Sequence, residues 1–167
     1  MNPYLAIPIV TLLALAQSTV APHVRLFGVA PDAVLLFTVS WALLQGVREG
    51  ILVALIGGLV LDALSAGPFG AQTLALLIVG VLAGISGANI FRTERLLPYV
   101  AIVAATVLYY QVLFVLFAIT GRVVVWGAMT LRLVLPAIAL NGLAMFLVHH
   151  ASCWARSFLY PSPVEWE

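Results

Sequence analysis

Long apolar runs alternate with brief polar breaks along the whole chain. The pattern predicts six helical spans, at about 4–21, 31–47, 50–64, 71–90, 97–120 and 131–150, which make residues 1–151 one six-span transmembrane domain. Crossing a bilayer takes about 20 apolar residues as a helix, and most of these runs meet that length. The remaining 152–167 reads as an interfacial tail, because Trp154, Tyr160 and Trp166 recur there and such rings prefer the membrane–water boundary.

The breaks carry the local detail. Pro31 falls at a favoured first-turn position, where a missing N–H has no partner to lose. Asp32 follows in that first turn, where the helix dipole favours an anion. The Arg48-Glu49 doublet leaves almost no loop after the second span, so spans two and three are expected to form an antiparallel hairpin. The third span, Ile51 to Leu64, is only about 21 Å long at 1.5 Å per residue. Either the doublet or Asp62 must then lie near the hydrocarbon slab. Gly50, Ala54, Gly57, Gly58 and Asp62 share one face of this span, a smooth strip that reads as a contact surface. The turn Gly67-Pro68-Phe69-Gly70 closes it. Small-residue rows recur in the fourth span: Gly80, Gly84 and Ala88, with Ala83 and Gly87 beside them. Such rows let helices approach closely. Pro136 is expected to kink the sixth span.

Composition turns helices into membrane spans. Apolar residues are 64% of the chain and charged residues 8%, against about 25% charged in soluble domains. No segment is polar enough for a separate soluble module. The net charge is +1, with no basic run to bind nucleic acid. Ala14-Leu15-Ala16 resembles a signal-peptidase site, but no Lys or Arg precedes Arg25, so the first span reads as a retained helix. Arg48, Arg92, Arg95 and Arg156 on one side, against Arg25, Arg122 and Arg132 on the other, place both termini in the cytoplasm. Asp32 and Asp62 then lie together near the outer face.

Candidate chemistry is sparse. Two intramembrane aspartates sharing a proton can activate water, but Asp62 lacks the glycine-x-glycine-Asp signature of such proteases. The alternative is that Asp32 caps a helix and Asp62 caps or pairs at a helix end. His149 and His150 point about 100° apart on a helix and read as solvated rather than metal-binding. Cys153 has no partner for a disulfide. Arg132 either pairs with Asp62 or Asp32 or snorkels to head groups. No catalytic, cofactor or metal set emerges.

Pro31-Asp32 opening a span, then Gly50, Gly58-Leu59, Asp62, Ser65 and Gly67-Pro68-Phe69-Gly70, together resemble the rod shape-determining protein MreD family. The motif-bearing part runs from about Pro31 to Gly87. Ile56-Gly57 stands where members commonly carry an aromatic residue before the second glycine. The resemblance implies an all-α polytopic membrane protein, a compact six-helix bundle similar to the S-components of energy-coupling-factor transporters. It implies a non-enzymatic scaffold in the bacterial inner membrane, without cofactors, that binds the single-span protein MreC. Wider partners would be RodA, a class B penicillin-binding protein and MreB, in a complex directing lateral peptidoglycan synthesis and rod shape. On this reading Gly57, Gly58 and Asp62 shape or support a groove for the MreC span, and Gly58→Leu weakens MreC co-purification with the protein still in the membrane. The rival reading is a vitamin-type binding subunit of a transporter, with a pocket drawn from Asn141, Gln111 and Asp62.

Overall fold

A computed structural model describes residues 6–20, 23, 28–89 and 97–159; the side chains of 88, 89, 97 and 149–159 lie outside the description. The His149-His150, Cys153 and Arg92/Arg95 readings therefore fall outside the described residues. The described elements are helical: α1 (Ala6–Val20), α2 (Ala33–Gln45), α3 (Val47–Leu64), α4 (Ala71–Asn89), α5 (Leu97–Ile119), α6 (Trp126–Met129) and α7 (Leu135–Leu159). A π-helical turn, Thr130–Val134, joins α6 to α7 into one rod, so the described chain forms six rods. Two of them, Pro98–Ile119 and Trp126–Val148, are long and apolar enough to cross a membrane; Ala6–Val20, Ala33–Gln45 and Ala71–Gly87 are shorter apolar helices.

The central helix is α2. It packs against α1, α3, α4, α5 and α7, and its residues from Val34 to Ala42 are all buried. A helix apolar on every face needs such a place. The expected hairpin of α2 and α3 is present and has effectively no loop. Gly46 adopts φ +93°, donates its N–H to Ala42 O at 2.8 Å and accepts from Gly50 N at 3.1 Å. One residue thus ends α2 and starts α3. The left-handed backbone that permits this is cheap only for glycine. As a result α3 begins at Val47 and is 18 residues long, about 27 Å. This corrects the fourteen-residue span: Arg48 and Glu49 are helical, with Arg48 exposed and Glu49 buried.

The glycines set the inter-helix distances. A Cβ built on Gly50 would come within 2.9 Å of Gly80 O, and one on Gly80 within 2.9 Å of Gly50 O. A Cβ on Gly84 would meet Val47 Cα at 2.5 Å, and one on Gly87 would meet Leu43 O at 2.5 Å. The fourth helix therefore lies backbone to backbone over the α2–α3 turn. Close approach of this kind replaces the hydrophobic drive that lipid does not supply.

Pro136 sits one residue inside α7, directly after the π turn. A proline ring crowds the carbonyl four residues earlier, here Arg132. The widened turn falls on that carbonyl and absorbs the conflict, so the disturbance expected from Pro136 takes the form of a π bulge.

Candidate functional site

Two helix starts at one end of the bundle, where α1, α3 and α5 finish and α2, α4 and α6 begin, are held by hydrogen bonds to side chains of other helices. Helix N-termini leave N–H groups without partners, and lipid supplies none. At α2, Asp32 is the N-cap, with Oδ1 accepting from Leu35 N at 2.9 Å. Gln17 of α1 reaches across: its Oε1 accepts from Val34 N at 2.9 Å and its Nε2 donates to Asp32 Oδ1 at 3.0 Å. Asn141 of α7 accepts from Asp32 N at 2.9 Å and donates to Thr106 Oγ1 of α5 at 3.2 Å. The start of α2 is thus clamped by side chains from α1 and α7. Pro31 precedes the cap rather than opening the helix, and Asp32 is the cap rather than a first-turn residue; a side chain that bonds the third N–H must stand before the helix.

The start of α4 has a different arrangement. Its N-cap position is Gly70, at φ +90°, which has no side chain to offer. Asp62, from the last turn of α3, supplies the missing acceptor. Oδ1 takes Gln72 N at 3.0 Å, and Oδ2 takes Thr73 N at 2.9 Å and the Thr73 hydroxyl at 2.5 Å. One carboxylate therefore caps the helix that follows its own. Gln72 extends the connection, donating to Leu61 O and accepting from the Tyr109 hydroxyl, both at 3.4 Å. The Gly67–Gly70 turn brings the two helix ends together, with Ser65 Oγ accepting from Gly67 N at 3.0 Å.

The two aspartates thus serve separate helix starts, and each carboxylate is occupied by N–H donors. This is the capping alternative, not a proton-sharing pair. Of the two alternatives for Arg132, the ion pair is not formed: Arg132 is exposed on the π turn, and among the described residues neither aspartate has a cationic partner. Arg122 makes the cross-link at this end instead, donating to Ala66 O at 2.8 Å and covering the Phe117 ring at 5.6 Å. Among the described residues no group of three or more His, Cys, Asp or Glu side chains converges as a metal site.

The glycine strip of α3 is likewise internal. A Cβ on Gly57 would meet Val34 and Val10 within 2.8 Å, and one on Gly58 would overlap Thr73 Cα. Gly50, Gly57, Gly58 and Asp62 are all buried. They are not a free contact surface, because α1, α2 and α4 already occupy that face. Gly67, Pro68 and Gly70 belong to the turn. Gln72, Thr73, Tyr109 and Thr106, which complete the network, were not singled out as partners. Gly70 at the head of α4 was the available signal, since a cap without a side chain needs an acceptor from elsewhere.

Gln17→Leu is expected to leave Val34 N unbonded and to lower stability by about 2 kcal/mol, the cost of stranding a buried donor. Thermal unfolding of purified protein would read this as a loss of roughly 4–8 °C.

An open cleft of about 420 Å³ lies at this same end, walled by Gln17, Ser18, Ser65, Gln72, Tyr110 and Leu133. Asp62, Asn141 and Gln111 do not line it.

The described residues form an all-helical protein of apolar helices packed through glycine, two of them long and apolar enough to cross a membrane. The family model for rod shape-determining protein MreD matches residues 1–151. The chain belongs to that family, and its role lies in determining rod shape. No curated protein and no solved structure matches it.

Proposed function

We propose that this chain is a non-enzymatic scaffold of the bacterial cell-elongation complex that binds MreC. In this reading all six rods cross the inner membrane as a bundle like the transporter S-components. Both termini face the cytoplasm, and MreC connects the protein to RodA, a class B penicillin-binding protein and MreB, and so to lateral peptidoglycan synthesis.

One observation carries the choice of surface. In the long helices, a Cβ on Gly50, Gly57, Gly58, Gly80, Gly84 or Gly87 would meet a neighbouring helix closer than 3.0 Å, whereas Gly142 of α7 has nothing within 4 Å. Gly142 lies in line with the exposed Leu135 and Ala139, which share its helix face. This notch is where a further helix can approach α7 as closely as the bundle helices approach each other. Gly142→Leu fills it without touching the core. Co-purified MreC should fall by about tenfold, a loss of about 1.4 kcal/mol, at unchanged levels of this protein. Undiminished MreC recovery would move the interface off α7.

A further inference from the structure

The cleft at the Asp62 end is not accounted for by packing or by the proposed MreC surface. Its volume, about 420 Å³, is in the range of small-molecule sites. Its polar side chains come from four different segments: Gln17 and Ser18 from α1, Ser65 after α3, Gln72 from α4 and Tyr110 from α5. None is ionisable at neutral pH, and each can both donate and accept hydrogen bonds. No charged side chain in the wall is there to neutralise a charged ligand. A hydroxyl likewise donates and accepts.

Bonding capacity remains in these groups. The Gln17 and Gln72 amides each spend one N–H, on Asp32 Oδ1 and Leu61 O respectively, and an amide carries two. Among the described residues the Tyr110 hydroxyl has no hydrogen-bond partner. Behind the wall, the Asp32 and Asp62 carboxyl oxygens already accept hydrogen bonds from N–H groups at helix starts. Exposed apolar side chains adjoin the cleft: Leu64, in the wall itself, is 49% exposed, and Val20, one turn beyond Gln17 on α1, is 51% exposed. Leu133 enters the wall from the π turn, a feature that recurs at functional sites.

We propose that this cleft binds the uncharged, hydroxyl-rich head group of a membrane amphiphile, with the acyl chains lying over Val20 and Leu64. The test uses the full chain in a sugar-free amine-oxide detergent, with bound ligand counted by native mass spectrometry. Four ligands are compared: monoglucosyldiacylglycerol, diacylglycerol and phosphatidylglycerol with the same acyl chains, and maltose alone. The glucosyl lipid should bind at least about tenfold more tightly than each of the others, equivalent to about 1.4 kcal/mol. Tyr110→Phe should reduce that preference and Leu133→Trp, which fills the cleft, should abolish it. Equal binding of glucosyl lipid and diacylglycerol overturns the proposal. So does a preference for phosphatidylglycerol, or maltose binding as tightly as the glucosyl lipid. A preference unchanged in both folded variants also overturns it. Should a variant fail to fold, the ranking of ligands on the unaltered protein still decides.

Discussion

Gly58→Leu should remove most of the folded protein from the membrane fraction, and MreC recovery should fall only in proportion. The sequence had suggested the reverse, a stable protein with a weakened partner. The difference lies in what Gly58 faces. Its missing Cβ would overlap Thr73 Cα and stand 3.0 Å from Thr73 N, so the obstacle is backbone and cannot rotate away. Helices α3 and α4 would have to separate. Thr73 is also the residue that Asp62 binds, one turn along from Gly58, so separation breaks the cap as well. Overpacking a core costs typically 1–3 kcal/mol, and the lost cap adds to it, for a total of about 3 kcal/mol or more. Gly58→Ala should be intermediate. Leu59→Phe, on the neighbouring exposed position, should change nothing. Measurement is by membrane-fraction yield and by heating in detergent; a Gly58→Leu protein as abundant and heat-resistant as its parent would refute the packing account.

Asp62→Ala should lower stability by about 3 kcal/mol, since hydrogen bonds to a charged group contribute about 1.5–3 kcal/mol each and are not additive. For a chain of this size that is roughly 6–12 °C in the unfolding midpoint. Asp62→Asn keeps one acceptor oxygen and turns an amide N–H₂ toward a backbone donor, so it should recover little. Thr73→Val deletes only the hydroxyl contact and should cost about 1 kcal/mol. The order Ala, Asn, Val separates a cap from a reactive acid. A reactive acid would tolerate Asn in stability and lose function; a cap loses stability first. An Asp62→Asn protein that melts with its parent would sink the capping role.

The six rods were legible because apolar run length and polar breaks survive averaging over neighbours. The hairpin of α2 and α3 was legible from the missing loop at Gly46. The identity of the partners was not. Gly58 and Gly142 look alike in a sequence, both small residues in apolar helices, yet one is pressed against Thr73 and the other faces open space. Which glycine is occupied depends on how the helices are arranged around α2, and no local pattern encodes that. Asp32 was read one position too far into its helix because proline so often opens one, and here it precedes the cap. Arg132 was a reasonable partner by charge alone. The acids instead took backbone donors, whose number at a helix start is fixed and whose need for acceptors inside lipid is absolute.

The cap that Asp62 places on the following helix also bears on how the chain reaches the bilayer. The carboxylate belongs to α3, but its three donors belong to the start of α4. Were α3 alone in lipid, it would carry an acid in its last turn with no donor to bond it, which is costly wherever hydrocarbon reaches it. While α4 is alone, its first N–H groups are bare. Each segment corrects the other's fault only when they lie side by side. If both cross the membrane, as proposed above, the two are expected to partition as a single hairpin rather than as successive independent spans.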